Sequence, residues 1–188
     1  MINIYTAIKT TGRNPWKHGI TEVALLVEDH NETIDYTFTK VNPGDVEFDK
    51  KALEINKESI ETIQTQMPAD VVNVMLKNFL DKHARANEKF MLISYNAQFV
   101  FDFLTRFIKA KEDLPFCNDS KGFLDYFYNP PLDVMQVANM MLQGIRPNIP
   151  DFKLDTICKA FEIQEFPQNT CLNKAKQIYC LYHKLIES

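Results

Sequence analysis

The chain predicts a mixed α/β domain, and two observations carry that expectation. Its first third holds three successive segments rich in β-branched and aromatic residues: "INIYTAIK" (2–9), "ITEVALLVED" (20–29) and "ETIDYTFTKV" (32–41). The remainder alternates helical spacing with short apolar runs. Strands in a row followed by alternating elements fold as a mixed central sheet with helices packed on it. The 188 residues suffice for a substantial core, and 1–188 is read as a single domain.

The polar "HNE" (30–32) between the second and third strands predicts a hairpin, and "NPGD" (42–45) ends the sheet pattern. Helices are expected at "DKKALEIN" (49–56) and at "PADVVNVMLKNFLDKHA" (68–84), where Val71, Val74, Met75, Phe79 and Leu80 recur at helical spacing. "KFMLISYNA" (89–97) reads as a buried strand entering a turn, and "QFVFDFLTRFIKA" (98–110) as the helix after it. "PPLDVMQVANMML" (130–142) suggests a short strand running into a helix, and "FKLDTICKAF" (152–161) a helix of its own. The last segment (171–187) sets Cys171, Ala175, Ile178, Tyr182 and Leu185 on one amphipathic stripe.

An apolar content of 45% with 14 Phe excludes a disordered chain. A formal charge of −4 gives no general attraction to nucleic acid, so such binding needs a local patch. Cys117, Cys158, Cys171 and Cys180 form no CxxC pair and lie near no His at a zinc-site spacing; the last three are expected as buried free thiols. No segment has a secretory-leader pattern, and no apolar run nears the ~20 residues of a membrane helix. The expectation is a cytoplasmic or otherwise intracellular protein with no membrane partner.

Three separated stretches carry the chemistry. Ala7-Ile8-Lys9-Thr10-Thr11-Gly12 ends the first strand in a tight turn. Tyr95-Asn96-Ala97-Gln98-Phe99-Val100-Phe101-Asp102-Phe103-Leu104 opens a helix, and Asn169-Thr170-Cys171-Leu172-Asn173-Lys174-Ala175 opens the last one. In order and spacing they resemble the three motifs of the DnaQ-like (DEDDh-type) 3′–5′ exonuclease family: Asp-x-Glu-Thr-Thr-Gly, His-Asn-x-x-Phe-Asp-x-x-Phe-Leu and His-x-Ala-x-x-Asp-Ala. The flanking "ITEVALLV", "LDVMQVA" and "FKLDTICKAF" extend the resemblance over nearly the whole chain.

The resemblance implies a ribonuclease H-like fold. Active members use four carboxylates to hold two Mg²⁺ or Mn²⁺ ions roughly 4 Å apart, with a histidine as general base. Position by position, the acids here are Ala7, Lys9, Val100 and Lys174, and the histidine is Asn169. Ala and Val cannot coordinate a cation, and an ammonium repels one. The expectation is therefore a pseudoenzyme with no catalytic residues and no bound metal, a product of natural divergence.

Asp102 offers no rescue by a shift of register: two residues on from Val100, it lies about 200° around the helix axis. Asp133 and Asp155 are expected as helix caps. Lys9 and Lys174 should face each other across the old metal site. They either grip a phosphate or nucleotide, with Thr10, Thr11 and Gly12 beside them, or are relieved by a carboxylate or solvent; the latter is expected. His83 and His183 read as packing or surface residues, Trp16 as a loop aromatic able to stack a base, and "KAKEDL" (109–114) as a solvated face. Two functions follow: a protein-interaction, inhibitory or scaffold module, or a non-cleaving binder of single-stranded ends or nucleotides. A surviving exonuclease is the outside alternative.

Overall fold

The computed structural model describes residues 1–108, 121–166 and 168–187. Cys117 and "KAKEDL" (109–114) lie outside the described residues. Three strands come first, β1 (Asn3–Thr10), β2 (Ile20–Asp29) and β3 (Glu32–Asn42). β2 pairs antiparallel with both neighbours. The β2–β3 turn is tight because His30 and Asn31 both take positive φ, 51° and 66°, the backbone that a two-residue hairpin loop requires. Helices α1 (Lys50–Asn56) and α2 (Ile60–Gln64) lead to a two-residue β4 (Met67–Pro68) and α3 (Ala69–His83). Then come β5 (Met91–Ser94), α4 (Ala97–Phe107), α5 (Phe123–Tyr126), β6 (Leu132–Asp133) and α6 (Val134–Met141). A 3-10 turn (Gln143–Asn148), α7 (Leu154–Ala160) and α8 (Cys171–Ile186) complete the chain.

The sheet order is β4-β3-β2-β1-β5-β6, with β5 parallel to β1 and β6 parallel to β5. Every residue of β2 but the last is buried, so it is covered on both faces. One face carries Ile4, Val23, Leu25 and Val27 against α3, α4 and α5. The other carries Tyr5, Ala7, Ala24 and Leu26 against α6, α7 and α8. The mixed α/β architecture expected from the sequence is what the chain adopts.

Two details differ. The buried stripe of α3 is Val72, Leu76 and Leu80, while Val71 and Met75 are exposed. The apolar pattern misplaced that stripe by one residue because the inner face also carries Asn73 and Lys77, both almost fully buried. The short elements α2, β4 and α5 escaped the sequence reading, since two to five residues show no period. Among the described residues no helix is long and apolar enough to cross a membrane.

Candidate functional site: a cleft at the end of β1

The carboxyl-terminal part of β1, the β5–α4 turn, α7 and the start of α8 enclose a cleft of about 760 Å³. Ala7, Val100, Asn169 and Lys174 all line it. Four of the five positions singled out from the sequence, drawn from three distant stretches, thus meet at one place. Ala7 arrives from the middle of the sheet, opposite Ala24 of β2. Val100 sits in the first turn of α4, which Asp133 positions. Its carboxylate accepts the N–H groups of Asn96 and Ala97 (both 3.0 Å) while also capping α6 at Met135 (3.0 Å). The capping role expected of Asp133 is thus doubled. Asn96 takes positive φ (61°) to make this turn, a conformation Asn tolerates better than most residues.

Lys9 is the fifth position and does not line the cleft. It shares a face with Ala7, yet only 6% of its side chain is exposed, and its ammonium meets Glu22 at 2.8 Å. Glu22 is fully buried directly across the ladder from Lys9. Its other oxygen accepts the backbone N–H of Cys171, at the first turn of α8. The arrangement is a brace joining β1, β2 and the positive end of the last helix. Lys9 therefore has the carboxylate partner that the sequence led one to expect, the buried Glu22, and does not line the cleft with Lys174. Sequence reading missed Glu22, although alternation along β2 puts it on the same face as Ala24 and Leu26.

The Thr10-Thr11-Gly12 turn is held by bonds within itself and to the segment before α1. Thr10 Oγ1 donates to the Gly12 carbonyl (2.7 Å) and Thr11 Oγ1 to the Glu47 carbonyl (2.7 Å). Gly12 is fixed by packing: a Cβ there would lie 2.3 Å from the His18 ring.

The cleft contains charges of both signs. Lys57, Lys153, Lys159 and Lys174 line it, with the carboxylates Asp155 and Glu165. Lys159 pairs with Glu165 at 2.9 Å, and Lys153 with Asp151 at 2.7 Å. The Lys153 contact, with bonds from Thr156 and the Lys153 N–H, lowers the Asp151 carboxyl to about 2. Among the described residues, Lys57 and Lys174 form no ion pair. Asp155 is not the cap its sequence context suggested: it lies inside α7 and accepts a hydrogen bond from Gln177 (3.1 Å). Phe99, Tyr95 and Phe152 add aromatic surface, and the Tyr95 hydroxyl ties two parts of the wall by donating to the Phe152 carbonyl (2.8 Å). Cys158 lines the same wall, its thiol pushed up to about 12 by burial. Among the described residues no group of three or more His, Cys, Asp and Glu side chains could hold a metal ion.

Other residues singled out from the sequence lie elsewhere. Asp102 is exposed and bonded to Gln98 (2.7 Å), turned away from the cleft as the helix geometry required. His83 binds Asp35 and His183 binds Glu28, so both serve packing. Trp16 is 77% exposed beside a separate groove, with the Arg106 guanidinium 3.6 Å above its ring. Cys158 and Cys171 are buried free thiols and Cys180 is half-buried.

No protein-family model matches the sequence, and no curated protein matches it. Solved structures do. E. coli exonuclease I in complex with a dT13 oligonucleotide superposes with a TM-score of 0.73 at 13% identity, covering 100% of this chain and 41% of that one. Cell-death related nuclease 4 gives 0.71 at 10% identity, over 99% of this chain and 64% of its own. Exonuclease I from Methylocaldum szegediense gives 0.69 at 12% identity, over 99% and 40%. The chain therefore spans about two fifths of the length of the exonuclease I chains. At these identities the likeness concerns the fold: a six-stranded mixed sheet flanked by helices, the ribonuclease H-like architecture of exonucleases.

Proposed function

We propose that this chain is a non-hydrolysing relative of 3′–5′ exonucleases that works as a protein-interaction module, inhibitory or scaffolding. The observation that supports this best is the furnishing of the cleft. The positions that need carboxylates carry a methyl group at Ala7, an isopropyl group at Val100 and an ammonium at Lys174. Lys9 consumes the nearest buried acid, Glu22, in an internal pair. These residues do not fit a pair of divalent ions, which demand oxygen ligands, so no hydrolytic step is assigned to them. Acids and base act as one unit in such sites, and losing all of them removes the mechanism. Calorimetric titration with Mg²⁺ and Mn²⁺ tests the reading. No tight, coupled divalent sites are expected, and two such sites would overturn it.

One observation favours a second reading, in which the cleft holds a single-stranded end or a nucleotide without cutting it. Lys57 and Lys174 are cations without carboxylate partners among the described residues, and they share the cleft with Phe99 and Phe152. Phosphate neutralisation plus base stacking is how single strands are bound without sequence preference. Exonuclease I was captured with an oligonucleotide on the same architecture. A fluorescence titration of short oligonucleotides across salt concentrations decides. Binding whose salt slope flattens in Lys57→Ala/Lys174→Ala supports this reading, and an affinity and slope indifferent to that change reject it.

A further inference from the structure

We propose that the groove beside Trp16 docks an arginine side chain of a partner protein, held between an indole, apolar walls and two carboxylates. This deepens the interaction-module reading by naming the chemistry of the partner, and it rests on that reading.

The groove has a volume of about 410 Å³ and shares no lining residue with the cleft at the end of β1. Its walls come from the loop after β1, the segment after β3, the start of α3 and the end of α4. Trp16 lines it while 77% exposed. The loop that carries this indole is fixed. The Trp16 N–H donates to the Asn14 side chain (2.9 Å), and the Lys17 and His18 N–H groups donate to the Asn14 carbonyl (3.0 and 2.9 Å). The Glu47 N–H closes on the Lys17 carbonyl (2.9 Å), and a Cβ on Gly19 would lie 2.3 Å from Pro43. A large apolar side chain held in water on an ordered loop is pre-organised for contact, since it has little freedom left to lose.

Charge selects the occupant. Of the cations in the lining, Lys17 is paired with Glu47 (3.2 Å) and Arg106 lies over the Trp16 ring (3.6 Å). The His18 ring is bonded to the Asn14 backbone (3.1 Å). Asp45 and Asp70 line the same groove, are exposed, and form no ion pair among the described residues. Free carboxylates beside an indole that Arg106 leaves mostly open attract a cation and repel phosphate, which sets a nucleic acid aside.

A third acceptor lies in the wall. Asn73 is three residues from Asp70 on α3, so the two are neighbours on the helix surface. It is 2% exposed; its amide nitrogen donates to the Phe107 carbonyl, while its Oδ1 has no donor among the described residues. A buried acceptor without a partner is unusual and marks where a donor is wanted. Three acceptors and an indole suit the guanidinium of arginine, a planar fork of five donors that stacks on aromatic rings. Its methylene stem has Phe103, Phe107 and Val46 to pack on.

Trp16 is the only tryptophan of the chain, so its fluorescence reports the groove directly. The whole chain is titrated with short blocked peptides, up to millimolar concentration, that differ in one central residue between two leucines: arginine, lysine, citrulline or glutamate. The arginine peptide should shift the Trp16 emission saturably. It should bind about tenfold tighter than the citrulline peptide, which keeps the shape and loses the charge. By calorimetry, Asp45→Asn/Asp70→Asn should weaken the arginine peptide about tenfold, leave the citrulline peptide unchanged and keep the wild-type circular dichroism spectrum. Emission unmoved by every peptide overturns the proposal, as does equal affinity for arginine and citrulline. An oligonucleotide that quenches Trp16, and binds more tightly once the two aspartates are neutralised, overturns it as well. Peptides that fail on a chain that hydrolyses nothing remove the arginine site and leave the interaction module standing with another surface. Arginine-selective binding by a metal-dependent nuclease overturns the non-hydrolysing reading alone.

Discussion

Replacing Lys9 by methionine should destabilise this fold severely, although the position belongs to a motif that resembles a catalytic one. The Lys9 ammonium is 2.8 Å from Glu22, with the two side chains 6% and 0% exposed. Removing the cation strands a carboxylate that water cannot reach. Breaking one side of a buried ion pair costs about 3–5 kcal/mol. For a chain of this size that corresponds to a fall of roughly 6–20 °C in the thermal midpoint. Glu22 would keep the Cys171 N–H, which holds the estimate toward the lower end. Lys9→Met/Glu22→Gln should be milder than Lys9→Met, because a neutral amide needs no counter-charge and still accepts from Cys171. Urea unfolding followed by circular dichroism supplies the free energies, and the double-mutant cycle isolates the pair. A Lys9→Met protein with the wild-type midpoint would refute the brace and return the ammonium to the cleft as a ligand-binding group.

Other outcomes follow from the same contacts. Gly12→Ala should cost about 1–3 kcal/mol by overpacking against the His18 ring, with His18→Ala recovering much of it; urea midpoints of the two variants check this. Burial raises the thiols of Cys158, Cys171 and Cys180 above 9.0. The folded state then binds more protons than the unfolded one at alkaline pH. Stability from these groups is therefore complete below pH 9.0 and declines as pH climbs toward about 12. Urea midpoints across that window should fall, and native Cys158 should resist alkylation until the chain unfolds. Asp133→Ala removes the cap of α6 and the acceptor for two N–H groups at the start of α4. The loss should exceed the ~1 kcal/mol of an ordinary cap, again read by urea unfolding.

The strands and long helices were legible because their side-chain periods are strong: β2 fills its expected span of 20–29, and α8 buries Cys171, Ala175, Ile178 and Leu185 as the stripe required. Where polar residues turn inward the pattern misleads, as Asn73 and Lys77 did in α3. The gathering of Ala7, Val100, Asn169 and Lys174 was accessible through the motif order, since those stretches meet at the carboxyl-terminal end of β1. What the sequence withheld were pairings across space. Lys9 meets Glu22 through strand register, Asp155 meets Gln177 through the packing of α7 on α8, and Lys57 enters the cleft from the turn just after α1. None of these has a local signature, because each joins residues from separate elements.

The central proposal is that this chain does not hydrolyse nucleic acid. Incubation of end-labelled single-stranded DNA and RNA with the purified chain, in Mg²⁺ and separately in Mn²⁺, tests it most directly. Both labels should survive at the rate of a protein-free blank. Metal-dependent shortening from the 3′ end that co-purifies with the chain and disappears in Asp155→Asn, the cleft carboxylate bonded to Gln177, would contradict it.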